Sequence, residues 1–336
     1  MKKVLILYTG GTIGMRPTEQ GYAPCSGYFA AALDAIPDLH SERLPRWELV
    51  ELEPLLDSSN IAVTEWNRIG AEIAARYHDY DGFVVLHGTD TMAYTASALS
   101  FMLEGLNKPV ILTGSQIPLC EPRSDARDNL ITSLLLAAGE RVHEVCLYFA
   151  GKLLRGNRST KISADAMEAF ASPNYPVLAQ AGVQLRFMES ALRPSQPGRL
   201  RLQSFDEVPI GVIKVFPGIQ FSLFEPIMTE SLRGIVIETF GAGNIPGNGD
   251  ALLPIIRKAS QNGTVLTVCS QCQQGSVYLG TYETSSALKK AGAVSGWDMT
   301  TEAAVAKLYY LLSCGCGREE IKTLMETDLR GEISVH

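Results

Sequence analysis

The chain has 336 residues, of which 46% are hydrophobic and 19% are charged. This length and composition predict a globular protein with two domains of ordinary size. The formal net charge of −7 comes from 29 basic and 36 acidic residues without a basic cluster, which argues against a nucleic-acid partner.

No stretch of the sequence approaches the ~18 apolar residues of a membrane span, so no membrane association is predicted. The apolar run after Met1 is shorter than the ~7–15 residues of a secretory signal, and we therefore expect a cytoplasmic protein. The seven cysteines favour reduced thiols in that compartment. Cys269 and Cys272, followed by Cys314 and Cys316, do not match the paired spacing of a zinc site, so no metal is predicted.

Residues 1–190 alternate between two kinds of pattern. Apolar runs predict strands at 3–8, 47–53, 82–87, 109–113 and 144–149, and helical periodicity appears at 64–79, 91–105 and 124–140. This alternation predicts βαβ units in a mainly parallel sheet. Thr91 or Asp90 could cap the second of these helices, and Asp125 could cap part of the third.

Residues 191–210 differ in character, because Pro, Gly and charged residues between Arg193 and Arg199 favour a linker. From 211 to 336 the alternation resumes, with strands predicted at 211–216, 234–239 and 264–269 and helices at 249–261, 301–313 and 317–327. The fold class is therefore α/β, with a larger N-terminal mainly parallel domain and a smaller C-terminal α/β domain.

Two short motifs each place a threonine just beyond a predicted strand. Thr12 lies in the run Tyr8–Gly14, and Thr89 lies in Leu86–Met92 beside Asp90. Ligands of open α/β sheets bind at the carboxyl ends of strands, so these hydroxyls suggest nucleophilic chemistry on a small substrate. The first run could equally be a strand-ending turn, and it lacks the spacing of a dinucleotide fingerprint or a P-loop. The second could simply cap a helix, although a helix N-terminus also offers N–H groups to a developing oxyanion.

Two further segments allow similar alternatives. Lys161 could be a solvated surface residue, or a base for a neighbouring hydroxyl if burial lowers its proton affinity. Asp57, Ser58 and Ser59 follow the strand at 47–53 and could form a turn or cap. They could also form a polar cradle for the charged amino and carboxylate groups of a substrate.

Taken together, these motifs resemble the bacterial-type L-asparaginases, most closely the cytoplasmic type I branch. The similar segments also include Leu112–Gln116, Arg155–Arg158, Phe240–Asn244 and Asp328–Glu332, in order along nearly the whole chain. The resemblance implies a two-domain α/β fold and hydrolysis of L-asparagine to L-aspartate and ammonia without a cofactor. It also implies a homodimer or a dimer of dimers.

The resemblance further implies roles for individual residues. Thr12 would be the nucleophile that forms an acyl-enzyme, and Thr89, Lys161 and Asp90 would form a second triad. Asp57, Ser58 and Ser59, with Thr89 and Asp90, would hold the substrate. Backbone N–H groups near both threonines would form the oxyanion hole. A tyrosine assists the first threonine in this family, and Tyr22 and Tyr282 are both candidates.

Some type I members also bind asparagine at an allosteric site that has a basic residue before a Phe-Gly or Tyr-Gly pair. This chain has Glu238 there, and its neighbours would be Thr160, Ser270 and Cys272. A carboxylate would repel the carboxylate of the effector, so we predict weak or absent activation by asparagine.

Two alternatives to an asparaginase remain from the sequence. One is a glutamine-using amidase, because one methylene of substrate length is worth only ~1–3 kcal/mol of discrimination. The other is a non-catalytic asparagine sensor, which would keep Asp57, Ser58, Ser59 and Asp90 without needing Thr12, Thr89 and Lys161 together.

Overall fold

The computed structural model describes residues 1–19, 21–195, 198–246, 252–280 and 283–334. The chain divides into two compact units, Met1–Leu202 and Gln203–His336. Each unit has its own core of buried aliphatic and aromatic side chains.

The first unit contains the larger set of strands and helices. Its strands are Lys3–Gly10 (β1), Met15–Thr18 (β2), Gly21–Pro24 (β3), Arg46–Leu56 (β4), Gly82–Leu86 (β5), Leu103–Glu104 (β6), Val110–Thr113 (β7), Val145–Phe149 (β8), Lys152–Arg155 (β9), Thr160–Lys161 (β10), Phe170–Ala171 (β11), Ala179–Ala181 (β12), Leu185–Phe187 (β13) and Arg201–Leu202 (β14). Its α-helices are Tyr28–Asp34 (α1), Val63–Ala75 (α2), Met92–Met102 (α3) and Ala126–Ala137 (α4).

An eight-stranded sheet organises this unit in the order β13-β12-β9-β8-β7-β5-β1-β4. The strands from β8 to β4 are parallel, and β9, β12 and β13 continue the sheet antiparallel. β1 and β5 are direct neighbours, with Tyr8 opposite Leu86, so the loops that follow them leave the same edge of the sheet side by side.

Continuous apolar runs explain why β5, β7 and β8 form the middle of the sheet. Every residue of β5, β7 and β8 is buried, as expected for parallel strands that are covered on both faces. The predicted mainly parallel α/β domain is confirmed. The predicted strand at 47–53 is longer, and the predicted helix at 64–79 ends at Ala75. The hairpin β2–β3 was not predicted, because its Pro and Gly residues weaken the strand pattern.

Two predicted caps are correct in position and wrong in their hydrogen bonds. Thr91 precedes α3, but its hydroxyl donates to the carbonyl of Ser58 at 2.7 Å rather than capping the helix. Asp125 precedes α4, and its carboxylate accepts from the backbone N–H groups of Gln116 and Ile117 instead. Each side chain therefore forms a hydrogen bond with the backbone of a neighbouring loop. A helix-capping rule does not predict such a contact.

The second unit is a smaller α/β domain, as predicted. Its strands are Ile210–Lys214 (β15), Gly234–Thr239 (β16), Val265–Ser270 (β17) and Val294–Ser295 (β18), and its α-helices are Leu252–Gln261 (α5), Glu283–Lys290 (α6), Thr301–Ser313 (α7) and Arg318–Met325 (α8). The four strands are parallel and lie in chain order. Residues 249–251 of the predicted helix at 249–261 lie outside the described residues. Across the described ranges, no helix is long and apolar enough to cross a membrane.

Candidate active site

The first site loop begins where β1 ends. Gly10 and Gly11 have φ angles of +116° and +82°, a region that favours glycine, and Thr12 then opens a 3-10 turn that ends at Gly14. The side chain of Thr12 is half-buried. The two glycines therefore let the chain turn sharply at the edge of the sheet and present a threonine there.

The second site loop joins β5 to α3. Thr89 is buried and Asp90 is exposed, and α3 begins at Met92 directly after them. Thr89 and Asp90 thus lie at the N-terminal end of a helix, where backbone N–H groups have no partner within the helix.

Glycines allow this loop to pack closely against its two neighbours. A Cβ atom on Gly11 would lie 2.4 Å from the Cα of Gly88, and a Cβ atom on Gly88 would lie 2.5 Å from Oγ of Ser58. Both distances are far below van der Waals contact, so only glycine fits at either position. The loops that carry Thr12, Thr89 and Ser58 therefore meet at one edge of the sheet.

Lys161 reaches this edge from the short strand β10. Its Nζ donates to Oγ1 of Thr89 at 2.8 Å and to Oδ1 of Asp90 at 2.7 Å. The side chain of Lys161 is 20% exposed, whereas that of Asp90 is 62% exposed. A hydroxyl, an amine and a carboxylate thus form one hydrogen-bonded group, which has the composition needed to move a proton from an alcohol.

The segment Asp57–Ser59 forms a short turn after β4. Oδ1 of Asp57 accepts from both the backbone N–H and the hydroxyl of Ser59 at 2.9 Å. Asp57 and Ser59 are exposed, and Ser58 is buried beneath Gly88. Both alternatives from the sequence are compatible with this geometry, because the carboxylate closes a turn and also faces solvent beside the Thr89 loop.

A buried polar network that was not predicted supports the Thr89 loop from below. Nδ1 of His87 lies 2.7 Å from the carbonyl of Gly88, and Nε2 lies 2.9 Å from Oγ1 of Thr95, which also accepts from Nε1 of Trp66 at 3.0 Å. Because a carbonyl only accepts, Nδ1 carries the proton and Nε2 accepts from Thr95. Burial lowers the pKa of His87 to about 4, so the ring is neutral at pH 7. The signal for burial was present in the sequence, since His87 directly continues the apolar strand Phe83–Leu86.

The two candidate tyrosines differ in what can be described. Tyr22 lies on β3, is half exposed, and donates its hydroxyl to Oε1 of Glu121 at 2.6 Å. That hydrogen bond raises the pKa of Tyr22. Tyr282 lies outside the described residues. The assignment between the two stays a prediction.

The residues predicted around a second site belong to both units. Thr160 is in the first unit, and Glu238, Ser270 and Cys272 lie at or just beyond the carboxyl ends of β16 and β17 in the second. Glu238 accepts from the hydroxyl of Thr301 at 2.6 Å. Ser270 donates to the carbonyl of Gly241 at 2.7 Å and accepts from the N–H of Cys272.

Within the described ranges, no group of three or more His, Cys, Asp or Glu side chains is arranged to hold a metal ion. All seven cysteines are described, and each is a free thiol.

Comparison with known proteins agrees with the sequence motifs. The family models described as "Asparaginase, N-terminal" and "Glutaminase/Asparaginase C-terminal domain" match residues 3–193 and 209–325. The chain is 46% identical over 333 residues to L-asparaginase 1 of Escherichia coli, over 99% of this chain and 98% of the relative. Among solved structures, L-asparaginase I from Vibrio cholerae is similar with a TM-score of 0.92 and 44% identity, over 99% of both chains. The thermostable L-asparaginase from Thermococcus kodakarensis is similar with a TM-score of 0.89 and 32% identity, over 99% of this chain and 100% of that chain.

The two family models together cover most of the chain, and the relatives match it nearly from end to end. The resemblance to bacterial-type L-asparaginases is therefore confirmed, and the chain belongs to the asparaginase family.

Proposed function

We propose that this protein hydrolyses L-asparagine to L-aspartate and ammonia through a threonine acyl-enzyme. The observation that carries the proposal is the contact of Lys161 Nζ with Thr89 Oγ1 at 2.8 Å and with Asp90 Oδ1 at 2.7 Å. Lys161 is 72 positions from Thr89 in the sequence, and with Thr89 and Asp90 it forms a proton-accepting group at the edge of the sheet where Thr12 also lies. The similarity to L-asparaginases along the whole chain supports the choice of substrate.

The first half-reaction uses Thr12. Its hydroxyl oxygen attacks the side-chain amide carbon of asparagine and gives up its proton. That proton passes to the amide nitrogen of the tetrahedral intermediate, the C–N bond breaks, and ammonia leaves with an ester remaining on Thr12. Backbone N–H groups of the Thr12 turn and of the Thr89 loop stabilise the oxyanion, a contribution of roughly 3–4 kcal/mol for each donor in other enzymes.

The second half-reaction uses the group around Lys161. The neutral amine of Lys161 takes the proton of the Thr89 hydroxyl, and Thr89 in turn accepts a proton from water as the water attacks the ester. The ester C–O bond then breaks and L-aspartate leaves. The proton gained by Lys161 passes to the oxygen of Thr12, which restores both the hydroxyl and the neutral amine. Asp90 holds Lys161 and also meets the amino group of the substrate, while Asp57, Ser58 and Ser59 hold its α-amino and α-carboxylate groups.

The test is ammonia release from L-asparagine by the wild type, by Thr12→Ala and by the control Thr64→Ala, each with and without EDTA. Thr64 is an exposed threonine in α2 of the same unit. We expect Thr12→Ala to lose several orders of magnitude in kcat while it still binds asparagine in calorimetry. Thr64→Ala should match the wild type, and EDTA should have no effect, since no cofactor takes part. Binding without turnover by the wild type would refute the hydrolase and favour an asparagine sensor.

The same assay with L-glutamine tests the other alternative. We expect lower kcat/KM for glutamine than for asparagine, because the Asp57–Ser59 segment and the two threonines must match one substrate length. A higher kcat/KM for glutamine would replace the proposal with a glutamine-using amidase.

We also propose that the protein acts in the cytoplasm as a homodimer or a dimer of dimers. Seven free thiols suit a reducing compartment, and the resemblance to type I asparaginases supports the assembly. Sedimentation equilibrium measures the assembly directly, and a monomer at assay concentration would contradict it.

A further inference from the structure

A buried ion pair lies beneath the segment that carries Lys161. Nε of Arg155 donates to Oε2 of Glu144 at 2.6 Å, and both side chains are only 6% exposed. Glu144 also accepts from the backbone N–H of Arg193 at 3.0 Å, and Nη2 of Arg155 donates to the carbonyl of Ala191 at 2.9 Å. Both ends of the pair are therefore tied to backbone as well as to each other.

An aromatic ring extends this buried group toward a second arginine. The guanidinium of Arg155 lies 4.3 Å from the ring centroid of Tyr175, and that of Arg158 lies 5.3 Å from the same centroid. Arg158 is 2% exposed and donates to the carbonyl of Asn174 at 2.8 Å. The hydroxyl of Tyr175 donates to the carbonyl of Ala191 at 3.0 Å. The ring of Tyr175 therefore contacts the guanidinium groups of both arginines of the segment Arg155–Arg158.

The chain from this group to Lys161 is short and rigid. Gly156–Arg158 forms a 3-10 turn, and the buried hydroxyl of Ser159 donates back to the carbonyl of Arg155 at 2.7 Å. Lys161 then pairs with Phe170, whose buried ring packs against Phe149. Hydrogen bonds and packing therefore restrain the backbone from Arg155 to Lys161.

The same turn packs against the helix that follows Thr89. A Cβ atom on Gly156 would lie 3.1 Å from Cβ of Ala96 in α3 and 2.9 Å from the carbonyl of Val145. Because α3 begins just after Asp90, this one helix contacts the turn that precedes Lys161 and directly follows the loop that carries Thr89. The distance between the lysine and the threonine therefore depends on where the turn at Gly156 is held.

We propose that Arg155, held by Glu144 and Tyr175, is a positioning residue that sets Lys161 against Thr89 and Asp90; this rests on the proposed function of Lys161. A buried ion pair adds little stability over well-packed apolar residues, because desolvation opposes the attraction of the charges. Its directional hydrogen bonds do fix the backbone of the turn. Displacement of a catalytic group by about 1 Å reduces rate about 100-fold, so small shifts of this turn matter for turnover.

The test compares Glu144→Gln with Glu189→Gln. Glu189 pairs with Arg141 on the surface of the same unit, where the two side chains are 67% and 60% exposed. We expect Glu144→Gln to lower kcat about 10- to 100-fold with KM within threefold of the wild type. Glu189→Gln should leave both unchanged.

A pH profile separates positioning from a loss of folded enzyme. The amine of Lys161 lies 2.7 Å from Oδ1 of Asp90, so a shift of the turn changes that contact and should move the acid limb of kcat in Glu144→Gln to lower pH. A smaller folded fraction would lower the whole profile without moving its midpoint. An unshifted profile, or unchanged kcat in a Glu144→Gln protein made alongside an active wild type, refutes the positioning role. An inactive wild type instead refutes the proposed function.

A second pair of variants keeps the test open if Glu144→Gln does not fold. Tyr175→Phe keeps the ring that both guanidinium groups face, whereas Tyr175→Leu removes it. We expect Tyr175→Phe to retain kcat within threefold and Tyr175→Leu to lose at least about tenfold with the same shift of the acid limb. Equal kcat and equal pH profiles for the two variants would overturn the proposal.

Discussion

Replacement of Gly11 by alanine tests whether close packing of two loops places the nucleophile. The added Cβ would lie 2.4 Å from Cα and N of Gly88, whereas ordinary contact begins at 3.4 Å. The Thr12 turn and the Thr89 loop would have to separate by about 1 Å, and a displacement of that size costs about 100-fold in rate. We therefore expect kcat/KM for asparagine to fall about 100-fold in Gly11→Ala.

The control separates this contact from backbone strain. Gly151 has a φ angle of +81°, nearly that of Gly11 at +82°, but an added Cβ would meet only the carbonyl oxygen of Ala181 at 3.7 Å. Alanine is strained at either position because φ is positive, and at Gly11 the ψ of 175° adds strain, since that region is nearly exclusive to glycine. Urea unfolding measures each cost separately from activity. Only Gly11→Ala should lose activity.

The assay combines initial rates of ammonia release with urea unfolding of both variants. If Gly11→Ala stays folded and its kcat/KM lies within threefold of that of Gly151→Ala, the packing of Gly11 on Gly88 does not place Thr12. The reasoning above would then be refuted, whatever the stabilities of the two proteins.

Three further results are expected. The free energy of unfolding should fall as the pH drops from 6.5 toward 4, by about 2 kcal/mol at pH 5, because the unfolded chain binds a proton at His87 that the folded protein does not. Urea titrations at pH 7 and pH 5 measure this difference. The variant His87→Asn should show a weaker dependence of stability on pH. Glu332→Gln should lower the free energy of unfolding by about 3–5 kcal/mol in urea, because it leaves Lys307 buried without its carboxylate at 2.6 Å, and a loss below about 1 kcal/mol would contradict this. Rates against L-asparagine concentration should be hyperbolic, because Glu238 opposes a second anionic ligand, and a sigmoidal curve would show the opposite.

Much of the fold could be predicted because buried parallel strands have a strong local signal. The runs Val4–Leu7 and Phe83–Leu86 are apolar throughout, and each lies in a strand that is paired on both sides within the sheet. The antiparallel strands at 152–155, 179–181 and 185–187 were missed. All three are short, and the strands at 179–181 and 185–187 are also partly exposed, so packing rather than composition determines them.

The site was predictable in its residue types and not in its contacts. The spacing after each strand indicated Thr12 and Thr89 from the residues alone, whereas only family resemblance linked Lys161 to Thr89. Capping rules suggested a local bond for Thr91, but its hydroxyl donates to Ser58, which is 33 positions away in the sequence. A local rule cannot identify a partner that arrives from another loop.

The sequence by itself determined the alternation of strands and helices, the glycines that permit sharp turns, and the threonines at the ends of two strands, because these depend on residues close together in the chain. Only the tertiary structure decided that β1 lies beside β5, that Gly11 packs on Gly88, and that Lys161 reaches Thr89 from 72 positions away. The physical reason is that strand order sets which loops share an edge of the sheet. Polar groups that are buried at that edge must then form hydrogen bonds with one another. The periodicity of a single segment encodes neither the strand order nor these hydrogen-bond partners.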